Sequence, residues 1–215
     1  MAYPIISAPY GLKPINLIGG QVFAGATRQL PITSSTVNYN TAIFNGDVVT
    51  LVSTGTIAVS PLAADTSPLA GVVGVFLGCS YTNPTTKQKT FDQYWPGFAS
   101  GVTDAMAYIC DDPDALFKAV NVAGTTVNDA ASGLLPAYLG LTVIGSNCRL
   151  VLNSGSTVTK DSKVGIYTAA GATTSSLPFR IVDVVPDTAN ASGNFVEFIV
   201  KFNFGYHSYY NATGV

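Results

Sequence analysis

The stretch FNGDVVTLVSTGTIAVS, residues 44–60, contains a single charged residue, Asp47. Val48–Val52 and Thr56–Ser60 are predicted to form two strands, because β-branched and apolar residues dominate both. They flank Ser53–Gly55, a three-residue loop whose glycine can adopt the left-handed conformation that closes such a hairpin. The hairpin is apolar on both faces, and we expect neighbouring subunits to cover much of a surface of this kind.

The rest of the chain has the composition of an all-β protein. It contains one Glu, seven Lys, 21 Gly and 12 Pro, so residues that favour surface helices are scarce. The segment FVEFIVKFNF, residues 195–204, alternates as a strand whose core face carries Val196, Phe198, Val200, Phe202 and Phe204. The best helix candidate, Asn128–Leu141, is interrupted by two glycines and a proline. We predict a sandwich or barrel of many short antiparallel strands, with at most short helices.

Two segments of the predicted β-rich domain, residues 33–215, share a pattern. At about 44–80 and 160–186, a strand and a glycine turn precede an apolar strand. The apolar strands are PLAGVVGVFLGCSY at 68–81 and LPFRIVDVVP at 177–186. The pattern raises the hypothesis of two similar halves; chance similarity among β-rich segments is the alternative.

Low charge is the most unusual property of the composition. Charged residues make up 10% of the chain, against about 25% in an average globular protein, and the mean hydropathy is +0.35. We therefore expect a homo-oligomer. A net charge of −2 with scattered basic residues argues against nucleic acid as a partner. The charge-free windows at 66–86 and 130–148 contain proline and several glycines, so no membrane partner is expected.

Catalytic and metal-binding patterns are weak. The only histidine, His207, lies in the aromatic segment FGYHSYYNATGV, and no nucleophile elbow, phosphate-binding loop or zinc-protease motif is present. Cys79, Cys110 and Cys148 lack the spacing of a metal site and are predicted to be buried and reduced. The cluster Asp111–Asp114 is interpreted as a turn between two strands, with a calcium loop as the alternative. We expect no enzyme activity, no metal and no cofactor.

Three segments are candidates for an interface. Residues 1–32 alternate prolines and glycines with apolar residues, which predicts an extended arm lying either on its own domain or, as we expect, on a neighbouring subunit. The segment KQKTFDQYWPGFASG, residues 87–101, is as rich in aromatic residues as an interface hot spot or a core plug. The C-terminal segment is the third. The candidate interface residues are Ile5, Ile6, Tyr10, Leu12, Ile15, Leu17, Ile18, Phe91, Tyr94, Trp95, Phe98, Tyr206, His207, Tyr209 and Tyr210.

The order of four segments resembles a family of tailed-phage virion proteins. The segments are YICDDPDALFKAV (108–120), LGLTVIGSNCRLVLNSGSTVTKDSKVGIY (139–167), LPFRIVDVV (177–185) and NFVEFIVKFNFGYHSYYNATGV (194–215). Members of this family are known mainly from aquatic phages and are taken to be capsid decoration, or cement, proteins. The resemblance covers roughly residues 44–215.

The resemblance implies a β-rich protein that binds the major capsid protein on the outside of an icosahedral head, commonly as a trimer. Such a protein would be made in the host cytoplasm and would stabilise the shell. The major capsid protein itself needs a long spine helix, and the sequence offers none. The alternatives are a structural protein of the tail tube, fibre or baseplate, and a virion-displayed glycan-binding domain that would use Tyr94 and Trp95.

Overall fold

The fold is an antiparallel β-sandwich. The computed structural model describes residues 8–32, 41–60, 71–98, 101–122, 143–173, 175–188, 195–212 and 214. The helical elements of these ranges are two 3₁₀ turns, Pro186–Thr188 and Ser208–Tyr210. The prediction of an all-β fold with short helices is confirmed. The helix candidate Asn128–Leu141 lies outside the described residues.

Within the described ranges, twelve strands make up two sheets. In chain order they are β1 (Lys13–Leu17), β2 (Arg28–Pro31), β3 (Val48–Leu51), β4 (Ile57–Val59), β5 (Val72–Thr82), β6 (Lys89–Asp92), β7 (Met106–Cys110), β8 (Ala115–Val120), β9 (Asn147–Val151), β10 (Gly165–Ala172), β11 (Phe179–Val184) and β12 (Glu197–Phe202). Sheet A has the order β1-β8-β12-β11-β9-β10. Sheet B has the order β2-β7-β5-β3-β4, and β6 also pairs with β5.

The opening hairpin forms as predicted. Val49, Thr50 and Leu51 of β3 pair with β4, and Gly55 closes the loop with φ of 76°. The core positions of the hairpin are buried within the chain on both faces, so they do not need neighbouring subunits to cover them. Val48 belongs to the core between the two sheets. Val49 and Ile57 belong to a second core on the opposite face of sheet B.

The N-terminal segment supplies an edge strand to each sheet. β1 pairs with β8 in sheet A, and β2 pairs with β7 in sheet B. Just before β1, Gly11 and Gly46 pack backbone against backbone, so closely that a Cβ on Gly11 would lie 2.9 Å from the Cα of Gly46. In the described residues 8–32, the segment is extended at β1 and β2 and pairs with the sheets of its own chain, which is the alternative to the expected contact with a neighbouring subunit.

Side-chain contacts also fix the segment to the body. Lys13 Nζ lies 2.7 Å from Asp161 Oδ1 and 2.5 Å from Asn45 Oδ1. The Tyr10 hydroxyl donates to Glu197, the only Glu of the chain. The pKa of Tyr10 is raised well above its usual value, first by burial and then by this carboxylate.

The two similar segments proposed from the sequence pair differently. In the first, the apolar strand β5 pairs directly with β3 of the hairpin. In the second, β11 pairs with β12 and β9. The strand β10 runs from Gly165 through Gly171, where the sequence suggested a turn. The strand pairing is therefore not repeated between these segments.

Candidate interaction surface

The cluster Asp111–Asp114 forms the turn that carries the chain from sheet B to sheet A, between β7 and β8. Asp112 Oδ1 accepts a hydrogen bond from the Asp114 N–H at 2.8 Å, and its carbonyl accepts from the Ala115 N–H at 3.1 Å. These are the self-capping contacts expected of a turn aspartate. Among the described side chains, no group of three or more His, Cys, Asp or Glu is arranged to hold a metal ion.

The C-terminal segment packs back onto this turn through two buried residues. Tyr206 and His207 are fully buried, and the Tyr206 hydroxyl donates to the Ser176 carbonyl. His207 Nδ1 accepts a hydrogen bond from the Tyr209 N–H at 3.3 Å and so caps the second 3₁₀ turn. Burial lowers the pKa of His207. Both residues act as anchors inside the chain, and neither is available to a partner.

The next two tyrosines project from these anchors toward solvent. The Tyr209 hydroxyl donates to Asp111 Oδ2 at 2.6 Å, and Arg28 Nε lies 2.8 Å from the same oxygen. The Arg28 guanidinium also lies over the Tyr209 ring, 5.4 Å from its centroid. The pKa of Tyr209 is raised to about 12, chiefly by burial of its hydroxyl and then by Asp111. The ring is thus fixed in place while 45% of the residue remains exposed.

Tyr210 extends the same surface. Its ring stacks on Phe204 with centroids 6.1 Å apart, and its hydroxyl lies 3.4 Å from Asp114 Oδ1. Lys201 Nζ lies 2.6 Å from that oxygen, and this contact is the main reason that the pKa of Asp114 is lowered. The Ile18 N–H donates to the Asp114 carbonyl at 2.9 Å, which places the end of the N-terminal strand beside the turn.

We call this surface the aromatic corner. Its exposed members are Ile18, Phe204, Tyr209 and Tyr210. Asp111 and Arg28 contact Tyr209, and Asp114, which pairs with Lys201, contacts Tyr210. Phe204 is the most exposed, at 80%. The aromatic corner is formed by the N-terminal segment, the aspartate turn and the C-terminal segment, which are far apart in sequence. The result is a preorganised apolar surface with a polar margin, the composition of a protein–protein contact.

The other predicted interface residues have different environments. Leu12 is buried in the core between the sheets, while Ile15 and Leu17 are half-buried in β1. Trp95 is fully buried, and Phe98 packs against it in the second core. Ile5 and Ile6 lie outside the described residues.

The remaining two aromatic residues of the central segment also differ from each other. The Tyr94 ring is half-buried, stacked on Phe44 at 5.6 Å and 5.5 Å from Lys160 Nζ. Phe91 is 71% exposed on β6. Of the four aromatic residues predicted in this segment, Phe91 therefore presents the largest open surface to a partner.

Sequence reasoning missed Phe204 and Arg28. Phe204 continues the alternation of β12 and was assigned to the core, but β12 ends at Phe202. Asn203 starts a turn there, because its carbonyl accepts from the Tyr206 N–H and Gly205 adopts φ of 87°. An Asn-x-Gly turn signal was present in the sequence. Arg28 offered no signal, since its role depends on the pairing of β2 with β7.

The three cysteines are free and buried, as predicted. Burial raises the pKa of the Cys79 thiol to about 12 and that of Cys110 to about 11. A thiol that stays protonated is a poor nucleophile. Within the described ranges, no helix has the length and apolar character that a membrane crossing requires.

No protein-family model matches the chain, and neither a curated protein nor a solved structure matches it.

Proposed function

We propose that this chain is a structural protein of a tailed-phage virion. In this proposal it binds the major capsid protein on the outer surface of the head and stabilises the shell as a homo-oligomer, with the aromatic corner as a main contact. The proposal includes no catalysis, cofactor or nucleic acid. The observation that carries it is the aromatic corner itself, in which exposed apolar rings are already held in fixed positions.

Several features of the corner support a binding role. Rings that are fixed before binding lose little conformational entropy on docking, and Tyr is over-represented among the residues that dominate interface energies. A cement protein occupies many equivalent positions, so a modest contact repeated over the shell becomes strong through multivalency. The order of the motifs that resembles the cement proteins supports the same function.

The positions of Tyr94 and Trp95 argue against the glycan-binding alternative, which would use these two rings to stack on a sugar. A sugar ring needs an open aromatic face on which to stack, and Trp95 is fully buried. Its ring packs against Tyr81 at 5.1 Å and Phe98 at 5.3 Å. Tyr94 is held between Phe44 and Lys160. A sugar therefore cannot reach Trp95 in this conformation.

The proposal is tested by measuring how well variants of the aromatic corner bind phage heads. The full chain is added to heads purified without it, and occupancy is measured by co-sedimentation. The double variant Phe204→Ala/Tyr210→Ala should reduce affinity by about thirtyfold or more, the loss typical of hot-spot residues. Val158→Ala, at an exposed residue of the β9–β10 connection, is the matched control and should bind as the unchanged chain does.

Two outcomes contradict the proposal. If the unchanged chain binds tails and not heads, the protein belongs to the tail alternative. If the double variant folds normally and still saturates heads at the same concentration, the aromatic corner is not the contact surface.

A further inference from the structure

A cleft of about 430 Å³ opens on the molecule, and none of the residues that line it belongs to the aromatic corner. It lies where the residues before β3 meet the connection between β9 and β10. Its walls are mostly apolar, and the residues that matter for its chemistry are Phe44, Asp47, Val59, Leu152, Asn153 and Val164.

Asp47 is the charged group of the cleft and is only 6% exposed. Its Oδ1 accepts from the Ser162 hydroxyl at 2.6 Å, and its Oδ2 accepts from the Phe44 N–H at 2.8 Å. Among the described residues no Lys, Arg or His forms an ion pair with it. Burial raises the pKa of this carboxyl, and the two hydrogen bonds offset only part of that effect. A buried carboxylate normally has a cationic partner.

A second polar group of the same cleft lacks a partner. Asn153 Nδ2 is buried, and no acceptor within the described part of the chain reaches it. Buried amide groups are nearly always hydrogen-bonded, to protein or to ordered water, so this donor can serve an acceptor that enters the cleft.

The aromatic residue of the cleft does not provide a stacking surface. One face of the Phe44 ring is covered by Tyr94, whose plane is inclined by 13°. Gly155 packs against the other face, since a Cβ there would lie 2.2 Å from Phe44 Cγ. The apolar walls are therefore aliphatic, formed by Val59, Leu152 and Val164 together with the edge of the Phe44 ring. Such walls fit a flexible methylene chain better than a sugar ring.

We propose that this cleft binds a lysine side chain presented by a partner protein. The methylene chain lies along the aliphatic walls, the ammonium reaches Asp47, and a backbone carbonyl of the lysine-bearing segment accepts from Asn153. Lysine fits better than arginine, because each Asp47 oxygen already accepts one hydrogen bond. A guanidinium pairs best when both carboxylate oxygens are open to its fork, whereas an ammonium is a compact charge that needs one. Lysine binding at this cleft does not depend on the head-binding proposal.

The test is an NMR titration of the isotopically labelled full chain with Nα-acetyl-lysine N-methylamide. Saturable shifts should be confined to the lining of the cleft, around Phe44, Asp47 and Asn153. Bound ammonium should also lower the pKa of Asp47, because an opposite charge favours the ionised carboxyl. The uncharged analogue Nα-acetyl-norleucine N-methylamide should bind at least about tenfold more weakly, the size expected for a hydrogen bond to a charged group.

Two variants and a control complete the experiment. Asp47→Asn should weaken binding by about tenfold or more, and Val59→Phe, which fills the cleft, should abolish it even if Asp47→Asn fails to fold. Asp183→Asn, at an exposed carboxylate of β11, should bind as the unchanged chain does. Three results would overturn the proposal: equal binding of the lysine and norleucine amides, unchanged binding of the lysine amide by Val59→Phe, or no saturation up to roughly 50 mM of the lysine amide.

Discussion

At the scale of single residues, Phe91 and Trp95 have different environments although they lie in the same aromatic segment. Both belong to one aromatic segment, and Phe91 is exposed whereas Trp95 is fully buried. Backbone contacts explain the burial of Trp95: its N–H donates to the Ile43 carbonyl at 2.7 Å, and its carbonyl accepts from the Ile43 N–H at 2.9 Å. These two backbone hydrogen bonds with Ile43 place Trp95 in the second core.

Substitution of these two aromatic residues should have unequal effects on stability. Trp95→Ala should reduce the free energy of unfolding by about 3–5 kcal/mol, because it leaves a large cavity in the second core. Phe91→Ala should change the free energy by less than about 0.5 kcal/mol, as is usual for an exposed position. Denaturant titration followed by tryptophan-independent circular dichroism measures both values. Equal losses for the two variants would contradict the assignment of the second core.

The sequence could not separate these two residues, because the segment has no strand or helix period. Burial of Trp95 depends on its bridge to Ile43, more than fifty positions earlier in the chain. The core positions Val196, Phe198, Val200 and Phe202 were predicted correctly, because strict alternation needs only local information. Phe204 was assigned wrongly, since the same alternation continues past the residue at which the strand ends.

At the scale of elements, the N-terminal segment completes both sheets. β1 and β2 are the edge strands beside β8 and β7. Removing them would expose the unpaired backbone of two central strands, and removing Leu12 would open the core between the sheets. We therefore expect the body to depend on this segment for folding.

Two deletions test the role of this segment. Deletion of residues 1–31 should abolish cooperative thermal unfolding, because the chain loses two strands, Leu12 and the ion pair of Lys13 with Asp161. Deletion of residues 1–7 removes none of these contacts and is the matched control, which should still unfold cooperatively. Differential scanning calorimetry distinguishes the outcomes. A cooperative transition in the longer deletion would show that the segment is an independent arm after all.

The strands β3, β4, β5 and β12 were predictable, whereas the order of the sheets was not. Local patterns of apolar residues and a glycine turn define those strands. The pairing of β1 with β8 joins residues about one hundred positions apart, and no local pattern specifies it. The aromatic corner depends on this pairing, so the sequence indicated its tyrosines without indicating that Ile18 and Arg28 lie beside them.

At the scale of the whole molecule, the second core accounts for part of the high mean hydropathy. The central part of sheet B, formed by β3, β4 and β5, carries apolar residues on both faces, and both sets are buried within the chain. Exposed apolar residues nevertheless remain at the aromatic corner and at Phe91. Because the aromatic corner is proposed to face the major capsid protein, the surface that remains for self-association is the one around Phe91.

The expected oligomeric state comes from the resemblance to the cement proteins. We expect a trimer of the 22.3 kDa chain, because cement proteins of the type that the sequence resembles are commonly trimeric. Mass photometry at nanomolar concentrations and sedimentation velocity at micromolar concentrations measure the distribution. A single monomeric species throughout this range would contradict the expected self-association.

The most direct test of the proposed function is a cryo-EM map of the virion that contains this chain. The proposal predicts density for the two-sheet sandwich on the outer surface of the head, repeated with the symmetry of the shell, with Phe204, Tyr209 and Tyr210 facing the major capsid protein. Density for the chain in the tail, or on the head with these three side chains facing solvent, would contradict it.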